Sequence, residues 1–150
     1  MRDNRPAGAS HIPTLVQVLS ISQGPILELG TGPFSTALLH SLAVDQNREL
    51  VSYENDLKYY IHYKNFARGL HAIHFVTDWD SIVVQRTWGM AFVDHAPEER
   101  RAIEVSRLAN YADYIVVHDS EKLELPSFKY RTDSVKQRPN TTILSNKYEL

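Results

Sequence analysis

The chain predicts an α/β fold: a doubly wound parallel sheet with helices on both faces, closed by an antiparallel hairpin. Three observations carry this reading. Short apolar runs alternate with amphipathic helical runs five times along the sequence, the pattern of parallel strands joined by crossover helices. The first strand run ends in a glycine turn, Gly30-Thr31-Gly32, which lets the backbone turn tightly into a helix and approach a ligand closely. The last two apolar runs are separated by a short segment containing Pro139, which suits a hairpin rather than a crossover.

The elements follow in order. Residues 12–23 place Ile12, Leu15, Val16 and Leu19 at helical spacing and stop at Gly24-Pro25. Residues 25–30 (PILELG) form the first strand, and 35–44 a helix with Ala37, Leu38, Leu39 and Leu42 inward and Ser35 as its cap. Residues 50–53 are the second strand, and 57–70 a helix presenting Leu57, Tyr60, Ile61 and Phe66. The third strand is 72–76, followed by a short helix over 79–84. The fourth is 90–93, followed by a helix over 98–110, and the fifth is 114–118. Runs 128–135 and Thr141–Ser145 make the hairpin through 136–140.

A chain of 150 residues is one domain's worth. The expected organisation is a single unit over 1–150 with a loose tail over 1–11. With 43% hydrophobic and 23% charged residues the composition is globular, which excludes a disordered chain. There is no cysteine, so disulfides, thiolate nucleophiles and iron–sulfur clusters are excluded, and a reducing cytoplasm fits. A net charge of −2 gives no global basic field, so nucleic acid is not the expected partner. Lys129, Arg131, Lys136 and Arg138 around the hairpin read as protection of an edge strand. No apolar run reaches the ~18 residues of a membrane span.

In a doubly wound sheet ligands bind beyond the carboxyl ends of the strands, so the residues there are the candidates. Strand one carries Glu28 close to its end, an unusual place for a carboxylate unless a cation lies nearby. Strand two ends in Tyr53-Glu54-Asn55-Asp56. An acid about 24 residues after Gly30 can accept both hydroxyls of a ribose. Strand four ends in Asp94-His95-Ala96-Pro97 and strand five in His118-Asp119-Ser120. Adjacent strands lie ~4.8 Å apart, so these two Asp–His neighbourhoods can converge. His71 and His74 fall on opposite faces of strand three. His11, His40 and His62 show no partner at ligand spacing. The charge run Glu98-Glu99-Arg100-Arg101 reads as a solvated helix start, with the alternative that one of its arginines, near the strand-four end, meets an anionic substrate.

ILELGTGPFST followed by LVSYEND resembles the first two motifs of the class I S-adenosylmethionine-dependent methyltransferases. The five strands and final hairpin are also similar to that Rossmann-like fold, whose last strand runs antiparallel. The resemblance implies that Gly30, Thr31 and Gly32 line the methionine part of the cofactor with Glu28 beneath, and that Glu54 holds the ribose. It places Asn55, Asp78 and Trp79 toward the adenine, with Asp94 also at the cofactor; Trp79 reads equally well as a core ring. The ends of strands four and five resemble the catechol-type O-methyltransferases, which implies a magnesium ion on Asp94 and Asp119. Ser120 stands where that group has an asparagine, and Pro97 where it has its base lysine. The histidines His95 and His118 are then the available bases, with Asp94 beside them. DHAPEERR, YIVVHDSE and RPNTTILSN also resemble small bacterial methyltransferase-like proteins. The function expected is methyl transfer from S-adenosylmethionine to a small-molecule acceptor, a hydroxyl first among them. The alternatives are a nicotinamide-dependent dehydrogenase, an inactive cofactor-binding module, and a subunit that activates a partner or pairs with a second copy.

Overall fold

The computed structural model describes residues 7–134 and 138–150. Seven strands form one sheet: β1 (Ile26–Leu29), β2 (Leu50–Glu54), β3 (His71–Phe75), β4 (Trp88–Val93), β5 (Ala112–His118), β6 (Tyr130–Ser134) and β7 (Thr141–Ser145). Their order is β3-β2-β1-β4-β5-β7-β6. β1 to β5 are parallel, while β7 runs antiparallel between β5 and β6. The sheet thus has the five parallel strands and the C-terminal hairpin that the sequence predicts, the hairpin contributing one antiparallel strand, β7, and an edge strand, β6, that runs in the direction of the five. The sheet turns back at β1 and β4, where crossovers leave in opposite directions and a cleft opens at the carboxyl ends.

Helices α1 (Ile12–Ile21), α2 (Thr36–Asp45), α3 (Leu57–Tyr63) and α4 (Arg101–Leu108) join the strands. One face of the sheet buries Leu15, Val18 and Leu19 of α1 and Leu39 of α2 against Ile26, Met90, Phe92 and Val116. The other buries Val105 and Leu108 of α4, with Trp79, Ile82 and Val84, against Leu27, Ala91 and Ile115. Burial at ~25 cal/mol per Å² of apolar area makes these two layers the main source of stability.

Several elements differ from the sequence reading. α3 ends at Tyr63, and a 3-10 turn, Lys64–Phe66, replaces its expected continuation. Leu57 and Ile61 on it are exposed, because only its last turn, through Tyr63, reaches the core. The helix expected over 79–84 is a single 3-10 turn, Trp79–Ser81. The N-terminal segment is not loose where it is described: Ala7–Ala9 form a 3-10 turn, and Ala9, Ser10 and His11 are buried. His11 is held there by ring contacts with Phe92 and His118. Residues 1–6 of the expected tail, and Val135 and Lys136 of the expected hairpin, lie outside the described residues. Among the described residues, no helix is long and apolar enough to cross a membrane.

The charge run over 98–101 is solvated only in part: Glu98 and Glu99 are exposed, whereas Arg101, which opens α4, is buried, as is Glu104 one turn on. Arg101 donates to the carbonyls of His95, His118 and Asp94 at 2.8, 2.9 and 3.2 Å. Glu104 is fully enclosed and accepts from Arg100 and Arg107, both at 2.6 Å. A buried carboxylate needs such partners, since one left unpaired costs several kcal/mol.

Candidate active site

The β1 end begins with Glu28, fully buried inside the strand. Its Oε1 accepts from the hydroxyls of Ser35 at 2.8 Å and Thr36 at 2.9 Å. Its Oε2 accepts from Ser52 at 2.5 Å, its neighbour across the β1–β2 register. Ser35 therefore does not cap α2 with its side chain; it spends its hydroxyl on Glu28. Burial pushes the Glu28 carboxyl up to about 7, against the pull of the three hydroxyls. The polar chain runs on: Ser52 Oγ lies 2.9 Å from His71 Nε2, and His71 Nδ1 lies 2.9 Å from His40 Nδ1. His40 thus has a partner that its sequence spacing did not show.

Gly30 follows with φ +90°. A Cβ there would meet the Asp94 carbonyl and the His95 backbone at 2.8 Å, so glycine is needed for the β4 end to pass this close. At Gly32 the nearest atom to a Cβ is Ser35 Oγ at 3.7 Å, and φ is not positive. That turn is open on its outer side.

At the β2 end Glu54 is almost enclosed and accepts four hydrogen bonds. Thr31 gives its N–H at 2.7 Å and its hydroxyl at 2.8 Å to Oε2. The N–H groups of Asn55 and Asp56 give 2.8 and 2.7 Å to Oε1. The acid thus locks the glycine turn to β2. Asn55 Nδ2 donates to the Ala96 carbonyl at 2.9 Å, and Trp79 Nε1 donates to the same oxygen at 3.0 Å.

The β4 and β5 ends bring together carboxylates, imidazoles and a guanidinium. Arg101 lies 3.3 Å from Asp94 Oδ1 and 3.8 Å from Asp119 Oδ2. The cation between these two carboxylates is therefore a guanidinium. The expected magnesium ion bridging Asp94 and Asp119 meets this guanidinium in the space between the two carboxylates, and Ser120 turns away to accept from Thr142 at 2.7 Å. Burial raises the Asp94 carboxyl to about 7, opposed by Arg101. His95 is fully buried, with its ring 4.2 Å from that of Trp79. Burial, helped by Arg101 and Arg100, lowers it to about 3. Burial likewise lowers His118, against the pull of Asp119. His11, 4.6 Å from His118 between ring centroids, is lowered to about 3 by burial and by His118. Both nitrogens of His11 and of His95, and Nδ1 of His118, have no hydrogen-bond partner among the described residues.

A cavity of about 400 Å³ opens over these strand ends. Of the residues singled out in the sequence, Gly30, Thr31, Gly32, Glu54, Asp94, His95, His118 and Asp119 line it. Glu28 lies beneath, one layer into the core. Asn55, Asp78 and Trp79 do not line it. Trp79 belongs to the core, because its ring closes the second face of the sheet. Asp78 is exposed and caps the Trp79–Ser81 turn through Asp80 N–H at 2.9 Å. The cavity also takes in His11, Phe34, Tyr59 and Arg101, which sequence reasoning missed. Only the buried flank of α1 could have pointed to His11, since its partners are far along the chain.

No family model matches the sequence, and no curated protein matches it. Solved structures do resemble it. A presumed O-methyltransferase from Klebsiella pneumoniae is 15% identical, with TM-score 0.61 over 96% of this chain and 82% of its own. An RNA methyltransferase from Salinibacter ruber, in complex with S-adenosyl-L-homocysteine, is 13% identical, with TM-score 0.57 over 92% and 93%. The fold is that of the class I S-adenosylmethionine-dependent methyltransferases. A methyltransferase of this class from Thiobacillus denitrificans, also with S-adenosyl-L-homocysteine, is 18% identical, with TM-score 0.53 over 78% of this chain. The chain spans half the length of that protein. At these identities the likeness is one of fold. In this methyltransferase fold the cavity occupies the switch point between β1 and β4, and its walls divide into a glycine-turn side and a histidine side.

Proposed function

We propose that the chain transfers a methyl group from S-adenosylmethionine to a hydroxyl of a small molecule. The observation that supports this best is the set of unpartnered, buried imidazole nitrogens facing a cavity whose other wall is an open glycine turn. The donor's methionine portion fits along Gly30 to Gly32, where a ligand meets backbone and no side chain. Glu54 is the group to hold its ribose hydroxyls, sharing oxygens that now take Thr31. Held along Gly30 to Gly32 and by Glu54, S-adenosylmethionine would supply a methyl group activated by its cationic sulfur to an acceptor oxygen. The protein's task is positioning, which can be worth ~7–11 kcal/mol, and removal of the hydroxyl proton. His118 is the group to receive that proton: it lines the cavity and its Nδ1 has no partner among the described residues. The Asp119 carboxylate, 3.9 Å from its Nε2, then steadies the imidazolium.

Calorimetric titration with S-adenosylmethionine and with S-adenosylhomocysteine tests the reading. One site per chain is expected. Gly32→Val should abolish binding and leave the circular dichroism spectrum near wild type, because a Cβ there comes no closer than 3.7 Å to any atom of the fold beyond its chain neighbours, Ser35 Oγ being nearest. No binding of either ligand to the wild-type chain would overturn the proposal.

A further inference from the structure

His11 precedes α1, Asp94 ends β4 and His118 ends β5, yet their side chains meet at one end of the cavity. One ring nitrogen from each histidine and one carboxylate oxygen of Asp94 all lie within 4.8 Å of one another. His11 and His118 are only 2% and 3% exposed. Both nitrogens of His11 and Nδ1 of His118 lack any partner among the described residues. Buried polar atoms are nearly always paired, and an exception calls for a ligand, a water or an ion.

We propose that His11, Asp94 and His118 bind a divalent first-row transition ion, of which zinc is the reference. Two imidazoles and one carboxylate are the donor set that such ions take, with positions left open for water or substrate. Magnesium prefers an all-oxygen shell and is disfavoured here. Zinc–nitrogen and zinc–oxygen bonds of ~2.0–2.2 Å bring ligand atoms to ~3.4 Å from each other. The side chains must therefore close in by about 1.4 Å at most. Side-chain rotation covers that distance, since no hydrogen bond to another described residue holds either ring of the pair. Arg101 engages Asp94 through Oδ1, which leaves Oδ2 for the ion. Asp119 is 39% exposed, 3.8 Å from Arg101 and 3.9 Å from His118 Nε2; the three donors that lie mutually within 4.8 Å are those of His11, Asp94 and His118, so Asp119 partners the His118 ring rather than the ion. The ion's use in activating a hydroxyl acceptor rests on the methyl-transfer reading; its binding does not.

The test is zinc titration of the whole, chelator-stripped chain by calorimetry without S-adenosylmethionine, with cobalt(II) absorption as a second readout. One ion per chain is expected. His11→Ala and His118→Ala should each weaken zinc at least ~100-fold and remove the cobalt bands. His62→Ala, on an exposed helix position, should change neither. X-ray absorption on the wild-type zinc form keeps the proposal falsifiable if a variant fails to fold: two imidazoles in the zinc shell support it, and fewer than two overturn it. Absence of zinc binding, or binding unchanged by both variants, also overturns it. Because no methyl donor is present, failure here leaves the methyl-transfer reading standing, and failure of S-adenosylmethionine to bind leaves this one standing.

Discussion

The two walls of the cavity are equally buried and oppositely satisfied. On the β1–β2 side, Glu28 accepts three hydroxyls and Glu54 accepts four donors. On the β4–β5 side, His11, His95 and His118 keep five ring nitrogens without partners among the described residues. A satisfied network rigidifies and fixes one geometry, whereas unpaired buried groups raise the energy of the free protein. The first wall is a frame that the fold builds for itself. The second is a set of donors and acceptors whose partners come with the ligand. Stability should therefore be most sensitive to changes in the frame.

The largest effect expected is at Gly30. Gly30→Ala must accept a φ of +90° and a Cβ 2.8 Å from the β4-end backbone. Strain of ~1–3 kcal/mol and overpacking of ~1–3 kcal/mol add to a loss of roughly 3–5 kcal/mol in urea unfolding. Gly32→Ala, with 3.7 Å of room, should change stability by less than about 1 kcal/mol. Equal losses at the two glycines would erase the distinction between the framed and the open side of the turn.

Next is Glu54→Ala. It strands the buried N–H of Thr31, at ~1–3 kcal/mol, and removes the partner of the N–H groups of Asn55 and Asp56, whose bonds are part-buried and within reach of water. A loss of about 2–3 kcal/mol is expected, measured by denaturant unfolding. S-adenosylmethionine binding should weaken at least tenfold, since a bond to a charged acceptor is worth ~1.5–3 kcal/mol. A variant with native stability and weakened binding would show that Glu54 serves the ligand alone.

What the sequence made legible, and what it did not, divides along the same line. PILELG and LVSY read as strands because their apolar residues are local, and Gly30 and Glu54 were found because they stand at the ends of those strands. Glu28 was conspicuous as a carboxylate in an apolar run. Its three hydroxyl partners were less so, because Ser35 immediately precedes α2, Thr36 opens it, and Ser52 comes from across the β1–β2 register. His11 looked like part of a polar tail; its burial depends on Phe92 and His118, which no local pattern reveals. Arg101 looked solvated within a charge run, yet its guanidinium ties together the β4 and β5 ends. Trp79 was read with equal weight as an adenine neighbour and a core ring, and packing against His95 decides for the core. Frame residues announce themselves within one supersecondary unit, whereas the histidine wall is assembled from three distant segments.

The pH dependence of the metal-free protein sharpens the contrast through opposing signs. Glu28 and Asp94, raised from 4.5 and 3.8 to about 7, contribute stability that is present at low pH and lost as pH rises through 7. His11 and His95, lowered from 6.5 to about 3, and His71, lowered to about 4, do the reverse. Their contribution is complete above 6.5 and lost as pH falls. Between pH 4.5 and 6.5 three histidine gains oppose two carboxyl losses, and above 6.5 only the losses remain. The melting temperature, measured in chelator, should rise across that interval and peak near pH 6.5. A maximum at pH 8 or higher would mean that the carboxyls are not held protonated.

The smallest effect lies at the seam between the walls, where the Ala96 carbonyl accepts from Asn55 at 2.9 Å and Trp79 at 3.0 Å. One acceptor with two lone pairs serves both donors, so removing either leaves it satisfied. Asn55→Ala should cost only ~0.5–1.5 kcal/mol, because Asn55 is half-buried and water can replace its amide. Trp79→Ala would also open a cavity, so the conservative pair for a double-mutant cycle is Asn55→Ala with Trp79→Phe. The coupling should be negative in effect: the second loss exceeds the first, since only then is the carbonyl left without a donor. An additive cycle would show that Asn55 and Trp79 hold the β4 end independently, and that the seam transmits nothing from the framed wall to the histidine wall.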